Sequence, residues 1–235
     1  MKNFTKISFD YNNLDRYLIR KFIKEALDNN LNGFKGKFLD VGCGKMPYKE
    51  YLMDCTEIKD YIGLDIENAI IYDRQIKPDV YWDGVKMPFK NGTFDSCMAT
   101  EVLEHCPNPE IVLNEIYRVL KPMGTIFLTV PFLWNLHEAP HDEYRYTPFS
   151  LERHLLNSGF KEINIKSSGG WHASLAMMLG LWVRRSPMGS LKRKTLSRLI
   201  KPLIKILCNR DVGVHNNFIE GQMIPNLFGT AKKII

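Results

Sequence analysis

What most limits the folds open to this chain is a series of short apolar runs, three of which lead into an aspartate. KFLDV at 37–41 carries Asp40 and opens into Gly42-Cys43-Gly44, YIGLDI at 61–66 carries Asp65, and DVYW at 79–82 is followed by Asp83 and Gly84. Runs of this length, bounded by glycine and proline, read as strands. Further strands are expected over 94–100, 125–130, 163–166 and 227–234. Stretches at helical spacing alternate with them. An opening helix is expected over 11–30, where Leu14, Leu18, Phe22 and Ala26 share a face, and another runs from Pro47 to about Met53. A third is expected over 109–120, stopped by Pro122 and Gly124, and a fourth over 147–157, capped by Thr147 with Pro148 at its first position and ended by Gly159. Alternation of this kind predicts an α/β sheet.

Glycines at 42 and 44 permit positive φ and let a ligand approach bare backbone amides, while the next helix offers its positive N-terminus. A dinucleotide fingerprint, G-x-G-x-x-G, would need glycine where Pro47 stands, which weakens an NAD-dependent dehydrogenase reading. Asp65 falls 21 residues after Gly44, where an acidic side chain can accept hydrogen bonds from both hydroxyls of a ribose. Asp83, with Gly84 and the MPF that follows, has the look of an adenine-facing loop. Three acidic strand ends in succession do not make a core pattern. Any one of them alone could equally be a solvated loop or a helix cap.

LDVGCG, YIGLD, WDGVKMPFKNGTFD, EVLEH and YRVLKPMGTIFLTVP, in this order, resemble the consecutive motifs of class I S-adenosylmethionine-dependent methyltransferases, in particular the type 11 family. The resemblance spans residues 37 to 167. It implies a Rossmann-like seven-stranded α/β sheet with helices on both faces and S-adenosyl-L-methionine as cofactor. By resemblance, Asp40, Gly42, Cys43 and Gly44 line its methionine part, Asp65 its ribose, and Asp83 with Gly84 its adenine. Glu101 faces cofactor and substrate. The family usually shows a third glycine or small residue near Met46, so KMPY implies a differently shaped loop.

HEAPH at 137–141 matches the H-E-x-x-H pattern that places two histidines on one helical face around zinc. Pro140 removes an amide donor and pushes Ala139 towards extended backbone, which argues against that helix. The longer run HEAPHDEYRYT follows the fifth strand, at the sheet edge expected to hold the cofactor. It is similar to a run found in type 11 enzymes associated with cell-surface polysaccharide and glycolipid assembly. The catalytic candidates are therefore His137 or His141 as general base, with Arg145 and Tyr144 or Tyr146 orienting a polar acceptor. The plain alternative is an ion-paired latch in which Arg145 bridges Glu138 or Asp142. Glu101, Glu104 and His105 offer carboxylates and one imidazole, but no thiolate or second histidine at compatible spacing, so no metal is expected. His105 is read as ordering the loop over the cofactor or as structural.

Five scattered cysteines without CxxC spacing suggest neither a disulfide framework nor a zinc ribbon, and fit a reducing, cytoplasmic setting. The start of the chain lacks an apolar signal region, and the longest apolar run, 173–183, is too short to span a bilayer. Of 32 Lys and Arg, nine lie between 172 and 210, where no Asp or Glu occurs. The net charge of +6 therefore belongs to one segment, and no nucleic-acid partner is expected. That segment pairs a basic amphipathic helix, which Pro202 is expected to kink, with a run carrying Trp171 and Trp182. It is read either as peripheral contact with an anionic membrane at its inner face or as a helical cap on the fold.

The expected organisation is an N-terminal helical segment packing on the core (1–35), a cofactor-binding core (36–170 with 222–235) and a basic helical insertion (171–221). The expected reaction is O-methylation of a sugar or glycolipid acceptor of cell-surface polysaccharide assembly, free or lipid-linked. Methylation of a quinone or other small molecule, and a nonenzymatic cofactor-binding, membrane-associated protein, stand as alternatives.

Overall fold

The computed structural model describes residues 2–67 and 76–234. Its centre is a seven-stranded sheet in the order β3-β2-β1-β4-β5-β7-β6. The strands are β1 (Lys35–Val41), β2 (Glu57–Ile66), β3 (Val80–Trp82), β4 (Phe94–Thr100), β5 (Leu120–Pro131), β6 (Lys161–Ser167) and β7 (Asn226–Lys232). The first five run parallel, and β7 lies antiparallel between β5 and β6. This is the expected α/β sheet, with the last strand returning from the far end of the chain.

The helices are α1 (Lys2–Thr5), α2 (Leu14–Asp28), α3 (Lys49–Cys55), α4 (Pro109–Val119), α5 (Pro148–Asn157), α6 (Trp171–Arg185) and α7 (Ser190–Arg210). They cover both faces of the sheet, which is why β1 is apolar on both sides. Leu39 and Val41 enter a core with Val112, Leu113 and Ile116 of α4 and Leu151 and Leu155 of α5. Phe38 points the other way, into a core with Leu18, Phe22 and Leu27 of α2 and Ala176 and Met177 of α6. Strand order turns back between β1 and β4, and in open sheets ligands bind beyond the carboxyl ends of strands at such a point.

Two local expectations need correction. Pro122 and Gly124 do not end a helix in a loop. The backbone at Leu120 is already extended, β5 starts there, and both residues lie inside a 12-residue strand. A register irregularity opposite Phe94 and Ser96, with Met123 at φ +64, accommodates the proline that cannot donate to the ladder. α3 begins at Lys49 and not at Pro47, because Met46 sits at φ +48 and the chain is still turning at Pro47. α7 runs through Pro202.

Segment 171–221 folds mainly into α6 and α7. Asp211 ties their two ends together, accepting from the amides of Gly170 and Ala173 at the start of α6. α6 also docks on α2. A Cβ on Gly180 would lie 2.3 Å from the carbonyl oxygen of Leu14, and Arg185 Nε reaches Asp15 Oδ2 at 2.7 Å.

Candidate active site

Beyond β1 the chain turns through Gly42 (φ +64), Gly44 (φ +49) and Met46 (φ +48). The third left-handed position is thus held by methionine, whose sulfur packs towards Gly63 of β2. Gly42 is required by contact as well as by φ, since a Cβ there would lie 2.5 Å from the side chain of Val102. Cys43 is buried beneath the turn, and burial pushes its thiol far above the usual range, so it packs and does not react.

Asp40 and Asp65 sit beside this turn at the sheet edge. Asp40 is 2% exposed and accepts a hydrogen bond from the hydroxyl of Tyr61. Burial raises its carboxyl to about 7, against the opposing pull of that bond. Asp65 accepts from the Gly44 amide with one oxygen and from the Ile66 amide with the other, both at 2.9 Å. Burial also raises Asp65, and the charge of Glu138, from the loop after β5, adds to the effect. The charge of the loop after β5 is thus felt at the end of β2. Asp83 stands apart, its Oδ1 capping the amides of Val85 and Lys86 at 2.8 Å, which holds its carboxyl below the usual range. Gly84 follows it at φ +80.

Glu101, in the loop after β4, has φ +54. Its Oε1 accepts from Thr129 Oγ1 at 2.7 Å and from Asn226 Nδ2 at 3.2 Å, and burial raises its carboxyl to about 7. Sequence reading missed both partners. Thr129, a polar residue inside the apolar run TIFLTV, could have been noticed. Asn226 could not, since β7 brings it from the other end of the chain.

The loop from β5 to α5 is not helical at HEAPH. It turns through a cis Ala139-Pro140 peptide. Arg145 closes on Asp142 with two bonds, at 2.7 and 2.8 Å, and donates to the carbonyl of Asn135 at 3.3 Å. That pair, with burial opposing it, holds the Asp142 carboxyl at about 2. Of the partners weighed for Arg145, the structure pairs it with Asp142. Asp142 also accepts from the His137 amide at 3.1 Å, and its Oδ2 lies 3.2 Å from His137 Nδ1. His137 is half-buried, which lowers its pKa despite that neighbouring carboxylate. Tyr144 donates to the Pro107 carbonyl at 3.0 Å, while Tyr146 is 2% exposed and donates to the Leu103 carbonyl. His141 is exposed, and its carbonyl accepts from His105 Nδ1 at 2.9 Å. His105 thus ties the loop after β4 to the loop after β5. The second histidine that local spacing does not supply comes from the fold, since the rings of His105 and His137 lie 4.7 Å apart.

Residues 39–128 match the family of the methyltransferase domain, type 11. Among curated relatives, sterol 24-C-methyltransferase of Debaryomyces hansenii is 34% identical over 128 residues, which cover 49% of this chain and 33% of the relative. A malonyl-[acyl-carrier protein] O-methyltransferase of Erwinia billingiae is 23% identical over 177 residues, covering 63% of this chain and 70% of the relative. The chain spans about a third of the length of the sterol methyltransferases it matches. Solved structures share the fold. A SAM-dependent methyltransferase of Archaeoglobus fulgidus superposes with a TM-score of 0.56 at 18% identity, covering 99% of this chain and 97% of its own. A Haemonchus contortus phosphoethanolamine N-methyltransferase in complex with S-adenosyl-L-methionine gives 0.55 at 14% identity, covering 99% and 59%.

Proposed function

The chain carries a methyltransferase domain of the class I, S-adenosylmethionine-dependent type 11 family, and from that premise we propose that it methylates an oxygen of a sugar or glycolipid acceptor. The residues present fit the cofactor. Among the described residues each oxygen of Asp65 accepts a single backbone amide, which leaves lone pairs for two ribose hydroxyls. Both donors to Glu101 share Oε1, which leaves its other oxygen for the ammonium of the methionine part. S-adenosylmethionine, when bound, supplies an electrophilic methyl on a sulfonium.

The observation that carries this reading is the bond from His105 Nδ1 to the His141 carbonyl at 2.9 Å, which ties the loop after β5 to the loop after β4 that carries Glu101. It holds the acceptor-side loop at the edge where the donor is proposed to bind, and alignment of acceptor and donor is the main demand of methyl transfer. A hydroxyl acceptor also has to lose its proton. An imidazole of this loop, His137 or His141, takes it, a contribution of about 10²- to 10⁴-fold. The Arg145–Asp142 pair holds the loop in place, and Tyr144 stands at its rim. Two further features support a lipid-linked acceptor. α6 exposes Trp171, Leu175, Met178 and Trp182 along one helical stripe, and α7 exposes Leu199, Leu203 and Ile206 among its lysines and arginines. An apolar stripe in a segment free of acidic residues suits the surface of an anionic membrane.

Transfer of labelled methyl from S-adenosylmethionine to lipid-linked saccharide, free saccharide and quinone acceptors tests the proposal. Labelling of a saccharide hydroxyl is expected. Labelling of the quinone alone would overturn the acceptor class, and near-normal kcat in both His137→Ala and His141→Ala would remove the imidazole base.

A further inference from the structure

We propose that Glu104, His105 and His137 form a binding site for one Zn²⁺ ion, which joins the loop after β4 to the loop after β5. One candidate ligand atom from each residue lies within 4.8 Å of the other two. Glu104 is the strongest pointer. Its side chain is fully buried, and neither carboxylate oxygen has a hydrogen-bond partner among the described residues. Buried carboxylates are normally hydrogen-bonded, ion-paired or bound to metal. Its backbone carbonyl, by contrast, is well used, accepting the amides of Glu143 and Tyr144.

His105 is arranged as a ligand is. His105 Nδ1 lies 2.9 Å from the His141 carbonyl, which fixes the proton on that nitrogen. Nε2 then carries the lone pair, 3.8 Å from Glu104 Oε1 and 3.7 Å from Glu138 Oε2. Asp142 Oδ2, itself held by Arg145, lies 3.2 Å from His137 Nδ1, a buried nitrogen that has no hydrogen-bond partner among the described residues. Zinc at about 2.0 Å from each ligand sets tetrahedral ligand atoms roughly 3.3 Å apart, so the three atoms, now within 4.8 Å of one another, close in when the ion binds. Two imidazoles and one carboxylate suit zinc and leave its fourth position open, whereas magnesium and calcium prefer oxygen ligands. The inference touches the proposed function only in sharing His137. It gives that residue's lone pair to the ion and leaves His141 as the proton acceptor.

The full chain, stripped with a chelator and dialysed, is titrated with zinc chloride and with cobalt chloride. We expect one ion per chain, and cobalt bands in the visible characteristic of nitrogen and oxygen ligands. Glu104→Gln and His137→Ala should each weaken zinc by more than about 100-fold, beyond the effect of losing an outer-shell partner. His141→Ala should keep zinc at wild-type affinity while losing methyl transfer. No stoichiometric zinc in the wild type, a cobalt–thiolate charge-transfer band, or unchanged affinity in both ligand variants would overturn the site. Binding of S-adenosylmethionine by the stripped protein reads the methyltransferase proposal separately, so the two can fail independently.

Discussion

The Gly44 amide donates to Asp65 Oδ2 at 2.9 Å, so the turn after β1 is fastened by the acidic group that closes β2. The same carboxylate is proposed to hold the ribose. Asp65→Asn keeps an oxygen for Gly44 but loses the charge that strengthens bonds to hydroxyls. A charge-assisted hydrogen bond contributes about 1.5–3 kcal/mol, so S-adenosylmethionine affinity should fall about 10- to 100-fold while the melting temperature stays close to wild type. Calorimetric titration beside a thermal melt checks both. Unchanged affinity would take Asp65 out of the site.

Asp40 should make stability depend on pH. Its folded carboxyl is raised by burial to about 7, above the unfolded value of 3.8, so the folded state holds the proton longer. Stability is therefore greatest below the unfolded value and falls as pH rises towards 7. At about 1.4 kcal/mol for each pH unit between the two values, the loss approaches roughly 4 kcal/mol. Asp40→Asn should make the fall in thermal stability between pH 4 and 7 shallower, with buried Glu101 still contributing, since an amide still accepts from Tyr61. A slope equal to wild type would contradict this assignment.

The sheet and the glycine turn at its carboxyl edge were legible in the sequence because local signals carry them. Strand-ending aspartates, paired glycines and the Thr147-Pro148 start of α5 are read within a few residues, and the structure adds a full capping box between Thr147 and Ser150. Contacts made by topology were not legible. Asn226 reaches Glu101 only because β7 inserts beside β5, and His137 meets His105 only because two loops converge. β5 was read too short because Pro122 and Gly124 are ordinary helix stops, and a bulge in a parallel ladder leaves no local mark.

Arg145 and Asp142 define a latch whose loss should loosen one loop and little else. The Asp142 side chain is 3% exposed, and Arg145→Ala leaves its carboxylate without its main partner. Removing one member of a buried pair costs about 3–5 kcal/mol; a quarter-exposed arginine should sit nearer 2. Arg145→Lys should rescue poorly, because a point charge cannot make both bonds. Hydrogen exchange should rise across residues 135–147 in both variants. Uniform protection there would argue against the latch.

Gly180 lets α6 approach the first turn of α2. A methyl group would meet the Leu14 carbonyl at 2.3 Å, and backbone cannot yield as a flexible side chain can. Although alanine favours helix intrinsically, Gly180→Ala should destabilise the chain by about 1–3 kcal/mol. A gain in melting temperature would show that the two helices are not packed this closely.

The α6–α7 hairpin should bind anionic vesicles in a way that depends on two separable terms. Trp171, Leu175, Met178 and Trp182 recur at intervals of four, three and four residues, a single stripe, with Trp171 63% and Trp182 50% exposed. Insertion of that stripe supplies the apolar term, and the nine basic residues between 172 and 210 supply attraction to anionic headgroups. No helix among the described residues is long and apolar enough to cross a membrane, so any contact through this hairpin lies along the surface. Co-sedimentation with phosphatidylserine-containing vesicles should therefore be strong at low salt and weaken as ionic strength screens the charges. Trp171→Ala with Trp182→Ala should reduce binding at every salt concentration, whereas Lys201→Gln with Lys205→Gln should reduce it chiefly at low salt. Absence of vesicle binding at low salt would mean that this face serves another purpose, and the case for a lipid-linked acceptor would lose its main support.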